Sequence, residues 1–482
     1  MTDNPPNVLW ICTDQQRWDT LGCYGNTLVR TPNVDSLARN GVQFDCAFTQ
    51  SPVCTPSRAA FLTGRYPRTT RCRQNGQKIP ESEITVTRLL SEAGYDCGLS
   101  GKLHLSHCQP KSCPRMEERI NDGYSEFHWS HHPNPDWPAN EYIHWLRDKG
   151  VDFRDLWGEK HPSCNYVLQG MPAEHHQTTW CAQKAINFIR AREKTQRPWL
   201  FSANIFDPHH AFDPPSDYLE RYKVDDVPLP GYREGELDNK PHFQKLDHEH
   251  AYNQPNSMGY PRMSESDHRW VRAAYFAMCD LIDAQVGRMI EALKETGQLE
   301  NTIVIFMSDH GEMLGDHGIY LKGPYFYEEA MRMPLVVNWP AGFGKGLRTD
   351  AIVELVDIAP MLLEVAGLPV HPGMQGKSIR DICTGQADPS AHRDFAYCEY
   401  YNALPSHRPP AYATTIRTRR HKLAVFHGSE PSELYDLEAD PGEHDNLWDA
   451  PAAREIRDRL MKRCFDKLAF TLDPLPLRKG NW

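Results

Sequence analysis

The chain has 482 residues and a formal net charge of −11, with 40% hydrophobic and 24% charged residues. These proportions are ordinary for a globular protein, and the length exceeds what one small core needs without requiring many domains. Nucleic acids and acidic lipids call for a basic surface, so the acidic balance argues against both as partners. An anionic ligand would need a local cluster of positive groups.

The N-terminal residues 1–6 show no basic region followed by a long apolar run, and no stretch is apolar enough to predict a membrane span. We therefore expect a cytoplasmic protein, or a periplasmic one if an export signal has been trimmed. The fourteen cysteines are expected to be mostly reduced thiols. Cys108 and Cys113, beside His104 and His107, could bind zinc, although ordinary thiols in a loop are the favoured interpretation.

Apolar runs and helical periods alternate along most of the chain. Short apolar runs typical of buried strands occupy residues 7–13, 95–99, 199–205, 302–308 and 334–338. Helical patterns occupy residues 86–93, 177–193, 264–296 and 357–366. Strands that alternate with helices predict an α/β fold with a large, mostly parallel sheet flanked by helices.

Two long segments lack a clear period. Residues 106–172 hold four tryptophans and many histidines and prolines, and residues 213–262 are polar and rich in proline. We expect both to be irregular loops, a kind of segment that is often functional or mobile when it is this long. The tryptophans could form the wall of a pocket and stack on sugar or aryl rings. A surface loop with self-packing tryptophans fits equally well.

The pattern changes past about residue 385. Short strands are predicted at 397–401, 411–417 and 422–426, and a final helix at 452–468. This order predicts a small antiparallel sheet-and-helix subdomain over 386–482, after an α/β domain over 1–385.

Residues 51–65 read SPVCTPSRAAFLTGR and predict a loop that turns into a helix. Thr55 would be the N-cap, the proline after it would take the first helical position, and Gly64 would end the helix. Cys54 would then lie at a helix N-terminus, where free N–H groups and the helix dipole favour anions. Arg58 would add a positive charge one turn further on.

The CTPSR string followed by AAFLTGR resembles the signature of the type I, formylglycine-dependent sulfatases of the alkaline phosphatase superfamily. In that family a separate maturation enzyme oxidises the cysteine to formylglycine, whose hydrate is the nucleophile. Further polar residues stand in the family's order across nearly the whole chain, at Asp14, Gln15, Lys102, His104, His209, Asp309, His310 and Lys322. The resemblance implies hydrolysis of a sulfate ester of a small molecule or carbohydrate. The resemblance also makes residues 1–385 the catalytic domain, and it is compatible with a homo-oligomer.

The resemblance also implies a metal site. Asp14, Gln15, Asp309 and His310, with the modified Cys54, would bind one divalent cation, and oxygen-rich ligation makes calcium the first choice. Many sulfatases have an aspartate in place of Gln15 and an asparagine in place of His310. Gln15 lacks the negative charge of an aspartate, and His310 offers a nitrogen ligand. Both differences suit manganese, which is therefore the alternative to calcium.

The resemblance implies a division of catalytic roles as well. Arg58, Lys102 and Lys322 would neutralise the oxyanions of the substrate, so that an oxygen nucleophile can approach an anionic ester. His209 would protonate the leaving alkoxide with the assistance of Lys322. His104 would then deprotonate the remaining hydroxyl of the formylglycine hydrate, and the hemiacetal would expel sulfate.

Two other functions compete with this interpretation. A phosphonate monoester or phosphodiester hydrolase would use the same nucleophile, and the Asp-Gln and Asp-His forms also occur in branches that include choline sulfatases and phosphonate monoester hydrolases. The GKLH string at 101–104 favours sulfate because it matches the usual lysine–histidine pair of sulfatases. An inactive carbohydrate-binding relative is disfavoured because every expected catalytic position is filled. The natural ester stays open among sulfated sugars, aryl sulfates and small alkyl sulfates.

Overall fold

The computed structural model describes residues 5–429 and 431–478. Its strands are β1 Asn7–Thr13, β2 Val42–Phe44, β3 Ala47–Phe48, β4 Asp96–Gly101, β5 Glu126–Trp129, β6 Lys160–His161, β7 Cys164–Leu168, β8 Trp199–Ile205, β9 Thr302–Ser308, β10 Arg332–Met333, β11 Leu335–Asn338, β12 Leu347–Thr349, β13 Val353–Glu354, β14 Phe395–Tyr401, β15 Tyr412–Thr418, β16 His421–Phe426 and β17 Glu433–Asp436. Its α-helices are α1 Pro32–Arg39, α2 Cys54–Thr63, α3 Pro67–Thr70, α4 Val86–Glu92, α5 Glu141–Asp148, α6 Phe153–Leu156, α7 Gln177–Ala191, α8 Ser216–Leu219, α9 His242–Glu249, α10 Glu265–Glu295, α11 Glu328–Met331, α12 Ile358–Val365, α13 Arg380–Cys383 and α14 Arg454–Phe470.

Eight strands form the large sheet, in the order β12-β2-β11-β9-β1-β8-β4-β5. Neighbouring strands are parallel except at β11, which runs against both β9 and β2. Strands β1, β8 and β9 are buried along almost their whole length, which explains their continuous apolar sequences. The predicted mostly parallel sheet is confirmed.

Helices cover both faces of this sheet, and alternate residues of each strand point to opposite sides. Trp10 of β1 and Ile303 of β9 pack with apolar residues of α2, α4 and α12. Leu9 and Val304 point the other way and pack with α1, α5, α7 and α10. The long α10 begins where the sequence predicted, with Ser264 and Asp267 forming a capping box.

Helix α2 begins two residues earlier than expected. Cys54 is its first residue and Val53 is the N-cap, so the prediction of Thr55 as N-cap was wrong. The N–H of Ser57 already donates to the carbonyl oxygen of Val53 at 3.2 Å, and the proline at position 56 falls in the first turn, where no N–H is required. The predicted end is confirmed, because Gly64 adopts a left-handed backbone with φ of 65°.

The prediction that residues 106–172 and 213–262 are irregular was wrong in part. The first segment contains β5, which extends the large sheet, as well as α5, α6 and the hairpin β6–β7; the second contains α8 and α9. Helix α5 buries Tyr142, Ile143 and Leu146, but it spans only eight residues. Elements this short do not repeat a hydrophobic period often enough to be recognised, and packing against the rest of the fold selects them.

The C-terminal part contains a separate four-stranded antiparallel sheet in the order β14-β15-β16-β17. Helix α14 packs on it through Leu460 and Cys464, which contact Ile416 and Leu423. The small antiparallel sheet with its helix is confirmed, and β17 is a strand that the sequence did not predict. The boundary between 1–385 and 386–482 stays a prediction.

Within the described residues, no helix combines the length and apolar character needed to cross a membrane. All fourteen cysteines lie in the described part and are free thiols, as expected for mostly reduced cysteines.

Candidate active site

Polar residues follow two adjacent parallel strands at the same edge of the large sheet. Asp14 follows β1 and Asp309 follows β9, and the register pairs Thr13 with Ser308. The N–H of Asp309 donates to the carbonyl oxygen of Thr13 at 3.2 Å, which continues the ladder by one more bond. Because parallel strands end together, the two carboxylates meet in the crevice where open α/β sheets bind ligands.

Cys54 lies at the centre of this crevice and is buried. Its Sγ is 3.0 Å from Nε2 of His310, 3.2 Å from Nζ of Lys322 and 3.5 Å from Nζ of Lys102. Burial alone would raise the pKa of this thiol, but the charges of Lys102, Lys322 and His310 lower the pKa well below its ordinary value. The position of Cys54 therefore stabilises negative charge.

Arg58 holds the carboxylates of the crevice in place and is fully buried. Its Nε donates to Asp309 at 2.8 Å, its Nη2 to Asp14 at 3.1 Å and its Nη1 to the carbonyl oxygen of Lys102 at 2.7 Å. With its donors on these groups, the guanidinium orients the two carboxylates and offsets their charge. The resemblance implied contact with the substrate, whereas the bonds of this structure point to a positioning role.

The side chains around Cys54 form a donor set for a cation. Asp14, Cys54, Asp309 and His310 each offer a ligand atom, and these atoms lie within 4.8 Å of one another. Nδ1 of His310 donates to the carbonyl oxygen of Gly311 at 3.0 Å, so Nε2, which lies 3.7 Å from each carboxylate, is the nitrogen that would bind a cation. Two carboxylates and an oriented imidazole fit a divalent cation.

Gln15 lies at the rim of the same cluster, with a left-handed backbone. Its side-chain oxygen accepts a hydrogen bond from Lys322 at 2.6 Å, and its amide nitrogen donates to Glu312. A lone pair of the oxygen stays available, so Gln15 as a ligand remains a prediction. Glu312 was given no role from the sequence, although it ends the DHGE string after β9. It is buried and also accepts the N–H of Leu314 at 2.9 Å, which fixes the loop that leads to Lys322.

Lys322 and His209 form a proton-carrying pair. Nζ of Lys322 donates to Nε2 of His209 at 2.9 Å, in addition to its bonds with Gln15 and Cys54. Nδ1 of His209 donates to the carbonyl oxygen of His210 at 2.7 Å, so Nε2 carries the lone pair. Burial, together with the charge of Lys322, lowers the pKa of His209. His209 is therefore neutral and accepts the hydrogen bond from Lys322.

His104 is positioned by a buried glutamate that the sequence reading missed. Glu117 accepts the N–H groups of His104 and Leu105 at 2.9 Å each, and Nε1 of Trp129 at 2.9 Å. These bonds hold His104 in a left-handed backbone with φ of 58°. Burial, assisted by the charge of Lys102, lowers the pKa of the imidazole to about 4. His104 is therefore neutral at neutral pH. No local pattern marked Glu117, because its partners come from two separate elements.

A cavity of about 730 Å³ opens beside His209. Its walls include His132, Trp157 and Asp213, so the segment 106–172 contributes much of the lining. Nε1 of Trp157 donates to Asp213 at 2.5 Å, and burial raises the pKa of this carboxyl well above its ordinary value. The mixture of rings, imidazoles and a buried carboxyl suits a partly polar organic group.

Comparison with known proteins assigns the family. A family model described as sulfatase matches residues 6–368, and a second, described as N-sulphoglucosamine sulphohydrolase, C-terminal, matches residues 315–469. The chain is 31% identical to the arylsulfatase of Clostridium perfringens over 472 residues, which cover 95% of this chain and 93% of that protein. It is 27% identical to an N-acetylglucosamine-6-O-sulfatase of Bacteroides thetaiotaomicron, over 95% of this chain and 85% of that protein.

Among solved structures, the phosphonate monoester hydrolase of Agrobacterium radiobacter superimposes with a TM-score of 0.84 and 26% identity, covering 97% of this chain and 96% of that one. The shared architecture includes both the large sheet and the C-terminal subdomain, since the match covers nearly the whole of each chain. The chain therefore belongs to the sulfatase family of the alkaline phosphatase superfamily and is a sulfuric ester hydrolase.

Proposed function

We propose that this enzyme hydrolyses the sulfate ester of a carbohydrate or small molecule to an alcohol and inorganic sulfate, with formylglycine made from Cys54 as its nucleophile. The observation that carries the proposal is the surroundings of Cys54, with two lysine ammonium groups within 3.5 Å of Sγ and two carboxylates held by Arg58 next to it. A separate maturation enzyme would make the modification, and we propose the cytoplasm as the site of action.

A divalent cation completes the proposed site, with calcium as the first choice and manganese as the alternative. Asp14, Asp309 and His310 would hold it, and Gln15 would add an amide oxygen. When bound, the cation would supply Lewis-acid stabilisation of the negative charge, and the formylglycine hydrate would supply an oxygen nucleophile with a second hydroxyl for sulfate release. Arg58 keeps both carboxylates oriented toward the shared position.

Lys102 and Lys322 would bind the sulfate group. Their ammonium groups flank Cys54 Sγ at 3.5 and 3.2 Å and are almost completely buried. A charge in such a site is screened little by water, so it neutralises an anionic ester strongly and without reorganisation. Charge neutralisation of this kind lets a nucleophile approach an ester that already carries negative charge.

Lys322 and His209 would deliver the proton that the leaving alcohol needs. The sequence assigned this step to His209 with help from Lys322, and the hydrogen bond between them supports Lys322 as the proton reservoir. His209 also lines the cavity, so an alcohol group bound there would leave next to the pair. His104, which is neutral at neutral pH, would accept the proton of the second hydroxyl.

A phosphonate monoester or phosphodiester is the alternative substrate class. The structural similarity to a phosphonate monoester hydrolase favours this alternative, whereas the arylsulfatase and the N-acetylglucosamine-6-O-sulfatase among the relatives favour sulfate. A turnover comparison across sulfate, phosphodiester and phosphonate esters, made with fully converted protein, decides between the classes. A higher kcat/KM for a phosphonate than for every sulfate ester would overturn the sulfatase proposal.

Peptide mass spectrometry tests the nucleophile directly. We expect the peptide that contains Cys54 to carry an aldehyde or its hydrate in place of the thiol in a sizeable fraction of active preparations. Cys54→Ala should fold normally and lose essentially all turnover, whereas Cys97→Ala, a buried cysteine outside the crevice, should retain it. A fully active preparation with an intact Cys54 thiol would refute the mechanism.

A further inference from the structure

A second cluster of metal-ligating side chains includes His104 but not Cys54. His104, Cys108 and His131 each offer a ligand atom, and the three atoms lie within 4.8 Å of one another. The sequence offered Cys108 and Cys113 beside His104 and His107 as a possible zinc site, with ordinary thiols favoured. The fold groups His104 and Cys108 with His131, from the loop after β5. Nothing in the hydrolytic mechanism requires Cys108.

Two nitrogens of this cluster are buried and have no hydrogen-bond partner within the described part of the chain. They are Nδ1 of His104 and Nε2 of His131. The imidazole of His104 is only 6% exposed. A buried polar atom without a partner is unfavourable, so two such nitrogens in one cluster of ligand types point to a binding site.

The protonation pattern of the neighbours leaves a lone pair where a metal would bind. Nδ1 of His131 lies 2.8 Å from Nδ1 of His132, so one histidine donates to the other. When His131 is the donor, its Nε2 carries a lone pair and has no partner among the described residues, and a histidine held through its other nitrogen in this way is the usual arrangement in a metal site. Cys108 is 7% exposed, and its thiol donates to the carbonyl oxygen of Ser106 at 3.3 Å.

We propose that His104 Nδ1, Cys108 Sγ and His131 Nε2 bind one zinc ion. Two imidazole nitrogens and one sulfur are ligands that zinc prefers, and three protein ligands leave one position for water. Tetrahedral zinc with bonds of about 2.0–2.3 Å sets its ligands roughly 3.4–3.7 Å apart, so small side-chain rotations suffice. The oxygen-rich crevice around Asp14 and Asp309 differs in ligand type and would select a harder cation.

Zinc binding at this site exchanges one proton for the metal. The thiol of Cys108 gives up its proton to the solvent as the Zn–S bond forms, and no oxidation or reduction takes place. Competition between the proton and the metal makes the affinity for zinc increase with pH.

The proposed consequence is inhibition by zinc. It rests on the role proposed for His104 as a base: a neutral imidazole that binds zinc through Nδ1 carries its one proton on Nε2, so no lone pair is left to accept the proton of the second hydroxyl. Zinc would then slow hydrolysis even when the catalytic cation is present in excess. The binding site itself does not depend on that role.

Cobalt(II) absorption tests the binding site without using activity. The test uses the Cys54→Ala protein, in which the thiol of the catalytic crevice is absent, so a thiolate-to-cobalt charge-transfer band must come from another cysteine. We expect this protein to show the band, and the further change Cys108→Ser to abolish it. The further change Cys113→Ser is the matched control and should leave the band unchanged. No band in the Cys54→Ala protein, or loss of the band with Cys113→Ser, would overturn the proposal.

Zinc titration calorimetry of the metal-replete protein gives the second measurement. His131→Ala should weaken zinc binding by more than about 100-fold. Loss of a residue that only orients a metal ligand typically weakens metal affinity by about 10- to 100-fold, so a larger loss indicates a ligand. His107→Ala, which changes a nearby histidine outside the cluster, should leave the affinity unchanged. Equal affinities of the two variants would remove His131 from the site and contradict the assignment.

Inhibition kinetics separate the two parts of the inference. Zinc should inhibit the converted, metal-replete enzyme, and Cys108→Ser should keep the uninhibited rate while losing most of the sensitivity to zinc. Zinc binding without inhibition would overturn the consequence drawn through His104 and thereby question its role as a base. Inhibition that Cys108→Ser does not relieve would overturn the site.

Discussion

At the residue scale, the buried charges of the crevice are divided between two tasks. Arg58 bonds to both carboxylates, and the two lysines face the position of the nucleophile. Lys102 belongs partly to both groups, because its Nζ also forms an ion pair with Asp14 at 2.5 Å. Buried charges are tolerated when they are paired in this way, so the loss of one partner should disturb the rest of the cluster.

Asp14→Ala and Asp309→Ala should each lose the bound cation. A hard ion that few protein ligands hold cannot spare a carboxylate, and removal of either one also leaves a donor of Arg58 without its acceptor. Elemental analysis after dialysis measures the metal content. Asp45→Ala, which breaks a surface pair with Arg348, is the control and should keep its metal. Stoichiometric metal in either crevice variant would remove that residue from the ligand set.

His209→Ala should slow esters of weakly acidic alcohols most, by about 10²–10⁴-fold. Acidic phenols depart with little help from a proton, so their sulfates should lose less, and the rate should depend more steeply on the pKa of the leaving group. Lys322→Ala should slow all substrates, because it removes both the proton source and a charge near Cys54. The rate across a series of aryl and alkyl sulfates measures both effects. Equal losses for all esters in His209→Ala would indicate a structural role only.

The pH dependence of kcat should show an acidic limb near pH 4. His104 acts as a base only while its imidazole is neutral, and its pKa is lowered to about 4, first by burial and then by the charge of Lys102. The rate should therefore be level above about pH 5 and fall as the pH decreases through 4. The limb should disappear from the residual activity of His104→Ala. If the acidic limb is unchanged in His104→Ala, the limb belongs to another titrating group.

At the scale of elements, α2 is a short helix whose two ends serve the site and the fold separately. Its first residue is Cys54, and its last turn ends at Gly64, whose backbone is left-handed. A Cβ added at Gly64 would lie 3.1 Å from Cγ of Met374 and 3.3 Å from Cβ of Ala359. The end of the helix is therefore fixed by close packing as well as by backbone conformation.

Gly64→Ala should destabilise the protein more than Gly297→Ala does. Both glycines are left-handed, which costs roughly 1–2 kcal/mol for an alanine, but nothing lies within 4 Å of a Cβ at Gly297. Crowding at Gly64 adds a further cost of about 1–3 kcal/mol. Urea unfolding gives the free energy of each variant. An equal loss of the free energy of unfolding in the two variants would show that the Met374 side chain moves aside without destabilising the protein.

At the scale of the whole molecule, buried ion pairs join the residues before 385 to those after it. Asp357 before α12 pairs with Arg393, and Lys422 of β16 pairs with Glu328 of α11 at 2.8 Å. These carboxylates are buried. Burial would raise the pKa of Asp357, but Arg393 and His392 lower the pKa well below its usual value. The stabilisation from this carboxylate is therefore present above its unfolded pKa of about 3.9 and is lost as the pH falls toward the folded value.

Arg393→Ala should lower the free energy of unfolding by about 3–5 kcal/mol at neutral pH, because it leaves Asp357 buried without its main positive partner. Its destabilising effect should shrink below about pH 3.9, as the unfolded carboxyl becomes protonated. Arg419→Ala breaks a half-exposed pair with Asp350 and should cost about 1 kcal/mol or less. Denaturant unfolding at several pH values measures both variants. A loss below 1 kcal/mol for Arg393→Ala would contradict the importance of this contact.

The local sequence determined the long helices and the buried strands of the sheet, and it determined the residue types of the site. The runs that became β1, β8 and β9 are apolar along their length because both faces of the sheet are covered, and a seven-residue run is enough to recognise. The CTPSR string and the polar residues at the strand ends identified the family and, residue by residue, the cluster that the fold brings together.

The tertiary structure alone decided which partners those residues meet. Glu117 orients His104 through N–H groups of its own loop and Trp129 from the next strand, and no spacing in the sequence encodes such a contact. His131 reaches Cys108 for the same reason. Short elements such as α5 depend on neighbours as well, because eight residues bury too little surface to be stable alone. Local patterns specify periodicity and chemistry, whereas contacts between distant segments exist only once the sheet has brought their ends together.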